Sequence, residues 1–231
     1  MESTNFAIAF LAGLIPTLFW LWFWLREDRE RPEPWGLIII AFLAGMAVVP
    51  IALPLQKIAL ELYQGENLIW AWVTIEEVLK YVAALAVVLW HKAVNEPIDL
   101  IIYMIVIALG FSALENALFV FNPLMQGEFQ EMLLTSKFRF IGATLLHVLA
   151  SASIGVCLAL AYYQRNAIKV LAGMIGVGIA TVLHGFFNLF VMGANGASII
   201  TIFLFVWFGI IILFFLFERI KIIEAKHFGA P

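Results

Sequence analysis

Six ionisable side chains stand within long apolar stretches of this sequence, and their types are suited to activating water. They are three glutamates, two histidines and a lysine: Glu76, Glu77, Lys80, Glu115, His147 and His184. A glutamate in an apolar site can act as a general base on water. Glutamate and histidine are also ligands of zinc, which turns a bound water into a hydrolytic nucleophile. Both chemistries indicate water activation, and the sequence does not choose between them.

The spacing of these residues pairs each of them with a second polar or aromatic residue on the same face of a helix. Glu76 and Lys80 are four residues apart and Glu77 is three residues from Lys80, so the lysine can reach either carboxylate. Three further pairs are also four residues apart: Phe111 and Glu115, His147 and Ser151, and His184 and Asn188. Asn116 directly follows Glu115. Residues four apart share one face of a helix. We therefore expect four helices to present these pairs to a shared interior.

The charges of this set do not balance. Three glutamates and one lysine leave a net charge of −2 when both histidines are neutral. Uncompensated charge is too costly in a low-dielectric site. We therefore expect either a bound divalent metal, or protons held on one or two carboxyl groups or shared with histidine.

The composition identifies the class of protein that must position these groups. The chain has 231 residues, of which 64% are hydrophobic and only 13% are charged, and its mean hydropathy is +1.02. A soluble domain is about 25% charged, so the chain is predicted to be a polytopic membrane protein. The net charge of −3 excludes a nucleic-acid partner. The single cysteine, Cys157, excludes a disulfide framework and a cysteine-based metal site.

Seven stretches are apolar and long enough to cross a bilayer, which takes about 20 residues. They cover residues 6–25, 35–56, 69–91, 98–121, 140–163, 168–192 and 197–217. The break at Gly193–Gly196 separates the last two, and Pro50 and Pro54 are expected to kink the second or to end it early. The prediction is an all-α membrane protein with seven transmembrane helices in one bundle, forming a single domain over residues 1–231.

Lysine and arginine in the connections predict the orientation, because they concentrate on the cytoplasmic side. With the N-terminus outside, the inner connections and tail hold nine of them: Arg26, Arg29, Arg31, Lys92, Arg165, Lys169, Arg219, Lys221 and Lys226. The outer side holds three: Lys57, Lys137 and Arg139. We therefore place the N-terminus outside the cell membrane and the C-terminus in the cytoplasm. Helices of alternating direction then bring four residues to a common depth, about 6–8 Å outside the midplane: Glu76, Glu115, His147 and His184.

The longest outer connection, residues 122–139, has two interpretations. Four apolar residues fall roughly on one helical face: Phe129, Met132 and Leu133 within the connection, and Phe140 directly after it. The segment is either a short interfacial helix on the outer leaflet or a structured loop.

Four segments, in order along the chain, resemble the motifs of the PrsW family of intramembrane proteases. They are an EExxK motif at 76–80, an FxxxEN motif at 111–116, an HxxxS motif at 147–151 and an HxxxD motif at 184–188, in which Asn188 replaces aspartate. The segment 26–35, with its Pro-Glu-Pro-Trp sequence, is similar to the first loop of the family. The resemblance covers most of the chain.

This resemblance implies a polytopic protease related to the CAAX prenyl proteases. Bacterial members of the PrsW group cut membrane-anchored anti-sigma factors on the outer side, as the first cut in regulated proteolysis. The group is assigned both to metal-dependent and to glutamate-only enzymes. Among CAAX-type relatives an asparagine is common at the position of Asn188 and is taken to polarise the scissile carbonyl. Asn188 cannot serve as an anionic ligand or base.

The hypothesis is therefore hydrolysis of a peptide bond within the bilayer. The substrate is expected to be a membrane-anchored, single-pass protein whose chain unwinds into the site. Glu76 is expected to be the base that activates water. Glu77 is expected to pair with Lys80 or to bind a metal, and Glu115 and His147 to hold the water or metal. His184 and Asn188 would donate to the developing oxyanion, and Ser151 would orient a histidine. Asn116 is a further catalytic candidate. If zinc is bound, its candidate ligands are Glu77, Glu115, His147 and His184.

A proton- or cation-coupled transporter is the alternative, since transporters also use intramembrane glutamate, histidine and lysine. Such proteins usually contain two related halves with interrupted helices at matching positions. The sequence shows no related halves, although Pro50 and the glycine-rich sixth span are compatible with interrupted helices.

Overall fold

The computed structural model describes residues 2–26, 31–193 and 196–227, and within these ranges it contains helices and no strand. The helices are α1 (Glu2–Trp24), α2 (Trp35–Leu62), α3 (Glu66–Val87), α4 (Pro97–Gln126), α5 (Phe129–Phe138), α6 (Thr144–Leu160), α7 (Asn166–Gly193) and α8 (Gly196–His227). A π-helical turn, Arg139–Ala143, joins α5 to α6 without a break. The predicted all-α class is confirmed.

Within the described residues, six helical stretches are long and apolar enough to cross a membrane. They are Thr4–Trp24, Trp35–Leu62, Pro97–Gln126, Phe129–Leu160, Asn166–Met192 and Ile200–Ala225. The remaining long helix, α3, has 22 residues, about 33 Å at 1.5 Å per residue, so its length also suffices. It differs from the others because three charged residues, Glu76, Glu77 and Lys80, stand close together near its middle. The seven predicted spans thus correspond to seven long helices.

One detail of the predicted spans differs from the structure, and one agrees with it. The second helix does not end early, because α2 continues through Pro50 and Pro54 to Leu62. A proline removes one backbone hydrogen bond, and packing against neighbouring helices keeps such a helix intact. The predicted break after the sixth span agrees with the end of α7 at Gly193 and the start of α8 at Gly196, while Ala194 and Asn195 lie outside the described residues.

Helix α4 is the centre of the bundle. Every residue from Pro97 to Ala113 is buried, because α1, α2 and α6 pack around it. Two glycines allow α2 and α4 to approach closely: a Cβ atom on Gly45 would collide with the backbone carbonyl of Ile107, and one on Gly110 with that of Phe42. Small residues at such crossings are typical of membrane helix pairs. This crossing lies one residue before the FxxxEN motif and holds it in place.

We expect Gly110→Ala to destabilise the bundle, since the added methyl group would meet the α2 backbone, which cannot move aside as a side chain can. Overpacking of this kind costs about 1–3 kcal/mol. Gly36→Ala is the matched control, because a Cβ atom there meets nothing within 4 Å. Thermal unfolding in detergent should show a lower midpoint for Gly110→Ala alone. Equal midpoints for the two variants would contradict the close crossing.

The outer connection contains a helix, α5, so the interpretation as a structured loop is wrong. Phe129, Leu133 and Leu134 are exposed on it, whereas Met132 packs against a small cluster that includes Val120. The helical face that the sequence predicted is thus divided between exposed and packed residues. The location of α5 on the outer leaflet stays a prediction, as does the orientation of the chain.

Candidate active site

Four helices bring the six ionisable residues predicted from the sequence into one cluster. The residues lie on α3 (Glu76, Glu77, Lys80), α4 (Glu115), α6 (His147) and α7 (His184). The rings of His147 and His184 meet edge to face, with centroids 4.7 Å apart. The spacing of four on each helix explains this convergence, because it turns the paired residues of each helix to the same side.

The innermost part of the cluster is an ion pair between Glu77 and Lys80. The Lys80 Nζ atom lies 2.7 Å from Glu77 Oε1, and both side chains are 0% exposed. The ammonium group also lies 3.0 Å from Nδ1 of His147 and 4.3 Å from the ring centroid of Phe111. Lysine can only donate hydrogen bonds, so Nδ1 of His147 accepts one here. Lys80 therefore compensates Glu77 and selects the tautomer of His147 with a proton on Nε2.

Glu77 also holds His184. Its Oε1 atom lies 2.8 Å from His184 Nδ1, and its Oε2 atom accepts a hydrogen bond from the Ser151 hydroxyl at 3.3 Å. A histidine that donates from Nδ1 keeps a lone pair on Nε2. The sequence predicted that Ser151 orients a histidine. In the structure its hydrogen bond goes to Glu77, which in turn orients His184.

The second carboxylate, Glu115, pairs with a residue that the sequence assigned only to topology. Arg139, in the π-helical turn, forms an ion pair with Glu115, and its Nε atom donates to Oδ1 of Asn116 at 2.5 Å. The Asn116 amide donates in turn to the Thr144 hydroxyl at 3.0 Å. Glu115 Oε2 lies 3.0 Å from Nε2 of His147, which donates to it. Asn116, on α4, thus links this helix to the start of α6.

The third carboxylate, Glu76, has no lysine or arginine partner among the described residues. Its Oε1 atom accepts a hydrogen bond from the Gln56 amide at 2.8 Å. Its Oε2 atom is buried without a hydrogen-bond partner and lies 3.9 Å from His184 Nε2. Trp72 fixes the Gln56 backbone by donating to its carbonyl at 3.0 Å. The sequence did not identify Gln56, because it stands at the predicted end of the second span.

Arg139 changes the charge balance of the site. Glu77 is compensated by Lys80 and Glu115 by Arg139, so the net charge is −1 and not the −2 counted from the sequence. The remaining charge belongs to Glu76. Whatever neutralises the site, a proton or a metal ion, is therefore expected at this side chain.

Among the residues that the structure describes, one group could hold a metal ion. Glu76, His147 and His184 each offer a ligand atom, and these atoms lie within 4.8 Å of one another. The sequence had named Glu77 and Glu115 beside the two histidines, and those ligand roles stay predictions, although both carboxylates already have a cation partner. One carboxylate with two histidines is a ligand set of catalytic zinc. The buried, unpartnered oxygen of Glu76 and the Glu77 carboxylate behind His184 fit that chemistry.

Asn188 differs from the other predicted site residues because its half-buried side chain makes no hydrogen bond with any residue in the described ranges. It lies one turn after His184 on α7. An amide in this situation can donate to a substrate carbonyl.

Long apolar helices around a buried cluster of glutamate, histidine and lysine define a class of protein: a polytopic membrane protein with a buried ionisable site. Residues 33–217 match the model of the PrsW family of intramembrane metalloproteases. The chain therefore belongs to the PrsW family of intramembrane proteases, as the four motifs indicated.

Two relatives support this assignment. Protease PrsW of Clostridioides difficile (strain 630) is 27% identical over 192 residues, which cover 79% of this chain and 79% of the relative. Protease PrsW of Bacillus subtilis (strain 168) is 24% identical over 181 residues, 77% of this chain and 79% of the relative. No solved structure matches the chain.

Proposed function

We propose that the chain hydrolyses a peptide bond of a membrane-anchored protein, with water activated at Glu76. One observation supports this assignment above the others: Glu76 is the glutamate of the cluster that no lysine or arginine compensates, and its Oε2 atom is buried without a hydrogen-bond partner beside two histidines. A carboxylate in that state is suited to take a proton from water.

Each residue then has a defined part in the reaction. The water oxygen attacks the scissile carbonyl carbon while its proton passes to Glu76. Asn188 donates a hydrogen bond to the carbonyl oxygen as it becomes an oxyanion. Glu76 returns the proton to the leaving nitrogen when the C–N bond breaks, which leaves a carboxylic acid and an amine. His184, with its free Nε2 lone pair, orients the water.

A divalent ion such as zinc would strengthen this chemistry, and Glu76, His147 and His184 are the residues that would hold it. When bound, such an ion lowers the proton affinity of a water and polarises a carbonyl. Glu77 orients His184 and leaves its Nε2 lone pair free for an ion. Both ring nitrogens of His147 are hydrogen-bonded, to Lys80 and to Glu115, so His147 would exchange one of these hydrogen bonds for the ion.

The substrate is proposed to be a single-pass, membrane-anchored protein of the anti-sigma-factor type, cut on the outer side of the cell membrane. Of the charged side chains around the site, Arg139 and Glu115 are the most accessible, at 16% and 17% exposed, whereas Glu77 and Lys80 are fully buried. An unwound segment therefore reaches Glu76 from the Glu115 side. We propose the orientation deduced from the positive charges, with the N-terminus outside and the C-terminus in the cytoplasm. The transporter alternative is not favoured, because the family match is to proteases.

Metal removal tests the metal-assisted form of the proposal. The purified chain, reconstituted in vesicles with a tagged single-pass reporter, should contain about one zinc ion per chain and should cleave the reporter. A membrane-permeant chelator should abolish cleavage, and added zinc should restore it. An equal concentration of the zinc-loaded chelator is the control.

Two outcomes would contradict parts of this scheme. Full cleavage by protein that has been shown to be free of metal would remove the metal and leave Glu76 as the sole activator of water. A wild-type chain that is folded, metal-loaded and unable to cut any single-pass reporter would contradict the hydrolytic function itself.

A further inference from the structure

Arg139 touches the site through two residues of α4 and lies outside all four sequence motifs. Its guanidinium group pairs with the Glu115 carboxylate, donates to the Asn116 side chain and lies over the Phe119 ring, 3.9 Å from the centroid. Arginine suits such a position, since its planar fork can bind two acceptors and stack on an aromatic face at once. Lysine could make only one of these contacts well.

The π-helical turn explains how Arg139 reaches the same carboxylate as His147. The two residues are eight apart, and in a regular α-helix that spacing would turn them about 80° away from each other. The turn is closed by a hydrogen bond from the Thr144 N–H group to the Arg139 carbonyl, five residues back. It accommodates one extra residue, so the pair is related as if seven apart, within about 20° of one face. Both side chains therefore meet at Glu115.

The ion pair determines what Glu115 does in the site. Without Arg139, the Glu115 carboxylate would be a second uncompensated anion beside His147 and close to Glu76. It would then compete with Glu76 for the proton or cation that neutralises the cluster. With Arg139 present, Glu115 is compensated and acts only as the acceptor for Nε2 of His147.

We infer that Arg139 is a positioning residue of the protease, which fixes Glu115 so that His147 keeps its orientation toward Glu76. The inference rests on the proposed peptidase function. Arg139 acts through Glu115 and does not touch the reacting atoms. Its loss should therefore slow the chemical step without weakening substrate binding.

The test compares Arg139→Gln and Arg139→Lys with Lys137→Gln, in reconstituted full-length protein with the single-pass reporter. Lys137 is exposed and only two residues away, so its substitution removes the same charge from the same segment. We expect Arg139→Gln to lower kcat about 10–100-fold with KM unchanged, Arg139→Lys to recover part of the loss, and Lys137→Gln to match the wild type. A melting midpoint for each variant separates misfolding from slow chemistry.

A double variant keeps the inference testable if Arg139→Gln is unstable. If Arg139 acts through Glu115, then Glu115→Gln with Arg139→Gln should lose no more activity than Glu115→Gln alone. Additive losses would overturn the inference, and so would a raised KM with unchanged kcat, or wild-type kinetics for Arg139→Gln. Failure of the proposed function would look different, because the wild type and Lys137→Gln would then also be inactive.

Discussion

Glu76→Gln should reduce cleavage of a single-pass reporter by about 10²–10⁴-fold, the range attributable to a general base. Glutamine has almost the same shape as glutamate and can still accept the hydrogen bond from Gln56. It cannot take a proton from water, and it presents no anion to a metal. The substitution also removes the uncompensated charge of the cluster, so the fold should be retained or slightly stabilised.

The matched control is Glu66→Gln, which makes the same change on the same helix at an exposed position. Cleavage rate, metal content and melting midpoint should be measured for both variants. Wild-type metal content with lost activity would assign Glu76 to proton transfer, and loss of both would assign it to metal binding as well. A Glu76→Gln chain that cuts at the rate of Glu66→Gln would refute the role of this residue.

Lys80→Met should have the largest effect on stability. It leaves the Glu77 carboxylate buried without its cation, and breaking a buried ion pair from one side costs about 3–5 kcal/mol. It also removes the donor to Nδ1 of His147, so that this ring loses its fixed orientation. We expect a strongly lowered melting midpoint in detergent together with lost cleavage.

Lys57→Met is the control for this prediction, because Lys57 is an exposed lysine on α2 and its removal should leave stability and cleavage unchanged. Removing both partners with Glu77→Leu and Lys80→Met should recover much of the lost stability but not the activity, since His184 also loses its acceptor. If Lys80→Met has the same melting midpoint as Lys57→Met, the buried ion pair between Glu77 and Lys80 does not stabilise the fold.

The helices and the membership of the cluster could be predicted from the sequence because both depend on simple periodicities. Long apolar runs mark the helices, and ionisable residues within them are costly enough to imply a shared interior. The alternation of helix direction then placed Glu76, Glu115, His147 and His184 at one depth, and the structure brings these four side chains together.

The partners of each carboxylate could not be predicted, for two physical reasons. Arg139 stands at the edge of a predicted span, and regular α-helical spacing turns it away from His147, so only the π-helical turn shows that it faces the site. Gln56 is neutral and stands near the predicted end of a helix that continues through two prolines to Leu62. Since these residues decide which glutamate stays uncompensated, the sequence alone could not distinguish the surroundings of Glu76 from those of Glu77 and Glu115.

The charges of α3 have a consequence for the synthesis of the protein. A lysine near the middle of a helix adds about 2.5–3.5 kcal/mol to the free energy of its insertion from the translocon into lipid, and a carboxylate is also costly there. Helix α3 has three such charged residues close together. Part of what satisfies them, Ser151 and the two histidines, lies on α6 and α7, which the ribosome makes later. We therefore expect helix α3 to insert into lipid less readily than its neighbours when it first emerges, and to be stabilised in the bilayer once α6 and α7 have joined the bundle.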